Sequence, residues 1–361
     1  MKKIITMLAM LVLIIVLFNQ ENVYAEFTVT NESNNTAGLT VANESNNTAE
    51  FTVANESSNT METIHLADNI SVVKPIEIHS YDSLSRSTIT KENIVLLDSK
   101  GNKVSNKLVL TDDLKTVMIV PTKPLNYSAK YTVSFSSNVK TLTGYHFNDT
   151  LFTVTTEAKP KNAKLDVTKV KKPSLSDQNL EYLISAAFTN KDSYIVKWNT
   201  GLEVALLGSP TAADKAEVKK VLKEISALTG LSTKVTTNKN KANVKMYFGT
   251  QKWGEKHVGK MPVNTGGYFL ANTTKKAFIY KASLFVNTQA TATYKKHIIR
   301  KNLTMTLGLP KQTLSNSNSI FYEYGKGTSY SNLDKLIIKA LYSPYIPQGT
   351  TPVQLREMFR K

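Results

Sequence analysis

Lys301-Asn-Leu-Thr-Met-Thr-Leu-Gly-Leu309 closes a stretch of helical spacing that runs from about Thr291 to Leu307, with Met305 on the face shared with Ile298. The preceding segments fix its surroundings. Tyr194–Trp198, Leu202–Leu207, Ala242–Phe248, Gly267–Leu270 and Ala277–Tyr280 are β-branched or aromatic runs that predict strands. Between the second and third of these, Val218, Val221, Leu222, Ile225 and Leu228 recur at helical spacing, with Pro210-Thr211 as the start signal and Gly230 as the stop. A last helix is predicted near Asn332–Leu341. Strand, helix, strands and two further helices give an α+β order.

Upstream, from Asn69 to Thr156, the pattern is different. Short alternating segments at Ile76–Ile78, Ile94–Leu97, Leu108–Leu110, Val117–Val120, Tyr131–Phe135 and Leu151–Val154 are separated by turn signals such as Asp98-Ser-Lys-Gly101-Asn102. Regular short strands of this kind predict a β-sandwich over 69–157. The Lys- and Pro-containing stretch that follows predicts a linker over 158–176, with the α+β domain at 177–361.

The N-terminus reads as an export signal. Lys2 and Lys3 precede an apolar run from Ile4 to Phe18, and Val23-Tyr24-Ala25 supplies small residues for cleavage after Ala25, so 1–25 is predicted to be a signal peptide. The run is short beside the roughly 20 residues of a spanning helix, and contact with the membrane is expected only through this peptide before cleavage. Over 26–68, a unit of the type Phe27-Thr-Val-Thr-Asn-Glu-Ser-Asn-Asn-Thr36 recurs twice, starting at Leu39 and Phe51. Each copy has too few apolar residues to offset the entropy of ordering it, which predicts a disordered spacer; pairing of the Thr-Val segments with a sheet edge is the alternative.

The chain of 361 residues carries a formal charge of +17 and no cysteine. Disulfides, a lipid-modified Cys and thiolate chemistry are thereby excluded, and core packing must supply the stability. The positive balance points to an anionic partner. Export disfavours nucleic acid and favours wall polymers, with a protein or peptide ligand as the other option. The basic surplus lies largely in the C-terminal half, in stretches such as Lys215–Lys223, Lys234–Lys245, Lys252–Lys260 and Tyr294–Lys301. Solvated faces are an equally good account of them.

Two resemblances sharpen this picture. Ile89-Thr-Lys-Glu-Asn-Ile-Val-Leu96, Pro124–Val133, Gly144 and Phe152-Thr-Val-Thr-Thr156 resemble the bacterial Ig-like domains of surface-layer and other surface proteins, which implies a spacer or adhesive module. Lys301–Leu309, Ser319-Ile-Phe-Tyr322, Asp334 and Ala340-Leu-Tyr-Ser-Pro344 resemble secreted zinc peptidases of the matrixin kind. They are closer still to a family of exported zincin-like domains that keep Leu-Gly-Leu, Ser-Ile-Phe, the Asp and Leu-Tyr but lack the histidines. The fold class implied is multidomain: an all-β Ig-like sandwich plus an α+β zincin-like, metallopeptidase-like domain.

Aligned on Leu-Gly-Leu, the resemblance places the first zinc-ligand position at Lys301, the base at Asn302, the second ligand at Met305 and the third near Lys311. An ammonium repels a divalent cation, a carboxamide cannot act as a general base, and a thioether is a poor zinc ligand. No metal, cofactor or catalytic residue is therefore expected. His297, Lys301, Asn302, Met305, Lys311 and Asp334 outline a degenerate cleft, Met305 as core filler and Asp334 as the anchor of the last helix. A metal site assembled from His257, His297 and Asp334 is disfavoured. The function expected is that of a secreted, cell-surface or wall-associated, non-enzymatic binding protein. The alternatives are a secreted hydrolase with an unconventional site in that cleft and a structural surface-layer module.

Overall fold

The computed structural model describes residues 39–40, 61–262 and 267–360. The expected signal peptide and cleavage point, and most of the repeat region, lie outside the described residues.

The first unit is built from strands β1 (Leu39–Thr40), β2 (Glu62–Ile70), β3 (Ile76–Ser80), β4 (Ile94–Asp98), β5 (Asn106–Leu110), β6 (Thr116–Pro121), β7 (Lys130–Phe135) and β8 (Thr150–Thr156). They form two sheets, ordered β1-β3-β6-β5 and β2-β8-β7-β4. All neighbours are antiparallel except β2 and β8. Alternate residues of the two sheets, among them Ile78, Leu96, Ile119, Val133 and Phe152, meet in one core. Phe135 meets Phe147 and Phe152 edge-on at 5.6 and 6.0 Å between centroids. The Tyr131 hydroxyl accepts the Asn126 N–H at 2.8 Å and pins the turn before its own strand.

All six strands expected here are present. The boundary is corrected at its start: β2 begins at Glu62, inside the span assigned to spacer, because Ile64 and Leu66 alternate inward and pair with β8. Leu39–Thr40, in the second repeat copy, pairs antiparallel with β3, as the strand-pairing alternative requires. The stretch expected as linker contains no helix or strand, yet it is not merely a connector: Val167 is buried in the Ig-like core and its N–H donates to Tyr127 Oη at 3.1 Å.

The second unit, Gln178–Tyr342, contains most of helix α1 (Asp177–Ala187), then β9 (Lys197–Trp198), β10 (Leu202–Gly208), α2 (Ala212–Thr229), β11 (Thr233–Thr236), β12 (Val244–Gly249), α3 (Gln251–Val258), β13 (Gly267–Thr273), β14 (Phe278–Asn287), α4 (Ala292–Met305) and α5 (Asn332–Leu341). The sheet order is β11-β10-β12-β14-β13. β10, β11, β12 and β14 run parallel and β13 is an antiparallel edge. The order read as α+β is thus laid on a mostly parallel sheet, an α/β arrangement in which β10 and β11 are joined through α2. Thr211 caps α2 in a capping box with Asp214, and Gly230 ends it in the left-handed conformation.

Helix α6 (Pro352–Phe359) was not anticipated, and it packs with the Ig-like unit: the described part of Ser343–Lys361 clusters there. The compact part of the second unit therefore closes at Tyr342, earlier than the expected span of 177–361. The register shows which face α6 covers. Met118 lies opposite Glu77 on β3, and Val120 lies opposite Lys107 on β5. Gln354 of α6 donates to Glu77 at 2.9 Å and Glu357 pairs with Lys107 at 3.0 Å. α6 thus lies on the outer face of β3-β6-β5, which is why β6 is buried on both sides.

Candidate functional site

Helix α4 starts at Thr291, whose side chain accepts the Tyr294 N–H, and ends against the loop Leu307-Gly308-Leu309. Gly308 has φ +100°, and a Cβ there would stand 1.9 Å from the Val196 carbonyl oxygen. Only glycine fits that approach. Tyr342 then donates to the Leu307 carbonyl at 3.0 Å and accepts the Trp198 N–H at 3.3 Å, while Trp198 Nε1 donates to the Thr306 carbonyl at 2.8 Å. Leu-Gly-Leu and Leu-Tyr, far apart in sequence, are two halves of one clamp on the end of α4.

The other two recognised motifs form a second clamp. Asp334 is fully buried; its carboxylate accepts from the Ser319 hydroxyl, from the Ile320 N–H at 3.1 Å and from the Ser331 N–H at 2.8 Å. Ser331 returns a bond to the Asp334 N–H, completing a capping box. Asp334 therefore anchors α5 and, beyond that expected part, also holds the Ser319-Ile320-Phe321 turn.

The cleft residues divide by role. Asn302 is buried, and its amide donates to the Tyr268 and Phe285 carbonyls at 3.2 and 3.1 Å, tying α4 to β13 and β14. Met305 is buried in the core. His297 is buried, and its Nδ1–H donates to the Gly327 carbonyl at 2.8 Å, which leaves Nε2 as an acceptor. Lys301 is half-buried, and burial pulls its ammonium down to about 8. Lys311 is exposed; its N–H donates to the Ala186 carbonyl at 3.1 Å. Among the described residues no three His, Cys, Asp or Glu converge as metal ligands. His257 instead stacks on Trp253 at 4.1 Å.

Two groups escaped the sequence reading. Arg300, between His297 and Lys301, is fully buried and forks onto Glu224 of α2, with Nη2–Oε1 at 3.2 Å; Glu217 lies at 3.4 Å and the Tyr330 ring at 4.5 Å. Its signal was available as Glu217 and Glu224 two turns apart on α2, with Arg300 on the facing helix. The second group is the aromatic cluster Tyr247, Trp253 and His257.

The burial of His297 predicts that the unit loses stability in acid. Burial, with Lys301 adding to it, holds the imidazole below its ordinary 6.5, so the unfolded chain binds a proton that the folded unit refuses. Above about pH 6.5 the penalty is absent, and it grows as pH falls from there towards the lower folded value. Replacing His297 with Gln should flatten the loss of urea stability between about pH 6.5 and pH 5. An unchanged slope in that variant would refute the assignment.

None of the curated proteins matches this chain. Among solved structures, the native conformation of E. coli alpha-2-macroglobulin is 24% identical over 23% of this chain and 5% of its own, with a TM-score of 0.21. The surface layer protein SbsC, domains 1–6, is 17% identical over 30% of this chain and 16% of its own, at 0.23. Myroilysin is 12% identical over 42% of this chain and 98% of its own, at 0.29. The chain thus spans 5% and 16% of the first two structures. Residues 59–156 match the Bacterial Ig-like domain, in agreement with the sandwich around Phe152. Residues 174–361, just over half of the chain, match the family described as Protein of unknown function (DUF2927), and the chain belongs to that family.

Proposed function

We propose that this is an exported, cell-surface or wall-associated binding protein whose second unit is a zincin-like frame without peptidase chemistry. The reading rests on Asn302: at the position where the resemblance requires a general base stands a buried carboxamide with both of its N–H bonds directed at strand carbonyls. Such a group holds a helix in place and cannot take a proton from water. The neighbouring positions agree with it. Met305 is core, Lys301 is cationic, and the two clamps around Gly308 and Asp334 hold the end of α4 and the Ser319–Phe321 turn in place, which supports a structural part for these motifs.

The Ig-like unit supports a place at the cell surface, and the charge of +17 supports an anionic partner there. The purified protein should carry no stoichiometric zinc and cleave no peptide, while binding wall sacculi with an affinity that falls at least about tenfold between roughly 0.05 and 0.5 M salt. Metal analysis, peptide digestion and sedimentation with sacculi test this together. Bound zinc whose chelation abolishes cleavage would overturn the non-enzymatic reading; salt-insensitive retention, or none, would overturn the polyanion partner.

A further inference from the structure

We infer that the carboxyl edge of the parallel strands carries a binding platform for a sugar-phosphate polymer, built on Trp253 and His257. This deepens the wall-binding role proposed above and rests on it. The platform begins with two glycines. Gly208 ends β10 and Gly249 ends β12. A Cβ on Gly249 would stand 2.3 Å from Trp253 Cε3, and one on Gly208 would stand 2.8 Å from Trp253 Cη2. The indole therefore lies directly against both strand ends, in a space that only glycines leave open.

Trp253 is held there by α3. Thr250 caps this helix, and the Gly254 backbone sits flush on Phe285, where a Cβ would meet the ring at 2.4 Å. One turn on, exposed His257 stacks on the indole at 4.1 Å with its planes 32° apart, and its ring also lies 5.2 Å from Tyr247. A hydrogen bond between His257 Nδ1 and the Trp253 carbonyl, at 2.9 Å, fixes the stack. The indole itself stays partly exposed. Open sheets of this kind present ligands to the carboxyl ends of their parallel strands.

The chemistry of the surface selects the ligand. The exposed His257 ring and the partly exposed indole beside it, tilted 32° to one another, offer aromatic surface to the C–H face of a pyranose ring. Lys252 and Lys256, four apart and each one residue before the aromatic pair, form a cationic stripe beside it, and exposed Lys260 extends it past the helix end. A pyranose on the rings with phosphates along the lysines matches both features at once. A neutral glycan would leave the lysines unused, and a simple polyphosphate would leave the rings unused.

The test uses the full chain and sacculi of a Gram-positive wall, before and after hydrofluoric acid removes their phosphate polymers. Wild type should bind the untreated sacculi at least about tenfold more tightly than Trp253→Ala and several-fold more tightly than His257→Ala or the double variant Lys252→Glu/Lys256→Glu, and stripped sacculi should lose the binding. Because the other tryptophan, Trp198, is buried, a shift in tryptophan emission on adding a muramidase digest of the untreated wall reports Trp253. His257 and the lysines are exposed, so their variants separate binding from folding. Wild-type affinity in both the His257 and the double-lysine variants would overturn the platform while leaving a wall-binding role intact. Undiminished binding to stripped sacculi would overturn the phosphate polymer as its ligand. Failure of wild type to bind either preparation would overturn the platform and the proposed function together.

Discussion

Deleting Ser343–Lys361 should lower the melting temperature of the Ig-like unit by more than about 15 °C, although no residue of the matched Ig-like segment is touched. Ile346, Leu355, Met358 and Phe359 are all buried, and each contributes roughly 1.5–3 kcal/mol when removed from water. Ordering the tail opposes this, leaving a net loss on the order of 4 kcal/mol. The deletion also strips Met118 and Val120 of their cover and breaks the Gln354–Glu77 and Glu357–Lys107 pairs. Lys74 and Lys172 lose their bonds to the Gly349 and Met358 carbonyls. Hydrogen exchange assigns the effect: amides of β5 and β6 should lose protection. Unchanged exchange there would show that the tail is dispensable.

Arg300→Ala should cost the second unit about 3–5 kcal/mol, read from denaturant unfolding. The guanidinium is fully buried, so the substitution removes a cation that neutralises Glu217 and Glu224 and leaves a cavity against Tyr330. Glu217 is nearly buried and has the most to lose, whereas Glu224 keeps partial access to water. Arg300→Lys should recover only part of the loss, because one ammonium cannot reproduce the fork onto Glu224. A loss below about 1 kcal/mol for the alanine variant would mean that the network contributes little beyond filling space.

The sequence made the frame legible where periodicity and caps coincide. All six expected Ig-like strands lie where alternation places them, and Asn332–Leu341 is found as predicted because the Ser331–Asp334 capping box and the apolar stripe agree. Helix α1 was missed although Leu180, Leu183, Ile184 and Ala187 recur at helical spacing; the other missed elements have weak local signals. α3 is short and starts at Thr250 between a strand and a glycine, and β11 is four residues long. α6 carries its start signal in Thr351-Pro352, but nothing local indicates that its apolar face belongs to a sheet more than two hundred positions upstream.

The cleft was readable in identity and not in purpose. Lys301, Asn302 and Met305 could be found by counting from Gly308, and their unsuitability for zinc follows from side-chain chemistry alone. That Asn302 secures two strand carbonyls, or that Gly208 and Gly249 make room for Trp253, depends on which elements meet. Spacing within one element cannot supply that information.

The return of the chain to its first unit sets an order of maturation. A polypeptide made from its amino end presents β2 to β8 first and the helix that roofs Met118 only after the whole second unit has emerged. Until then the half-built sandwich shows an oily panel to its surroundings, which the returning helix covers.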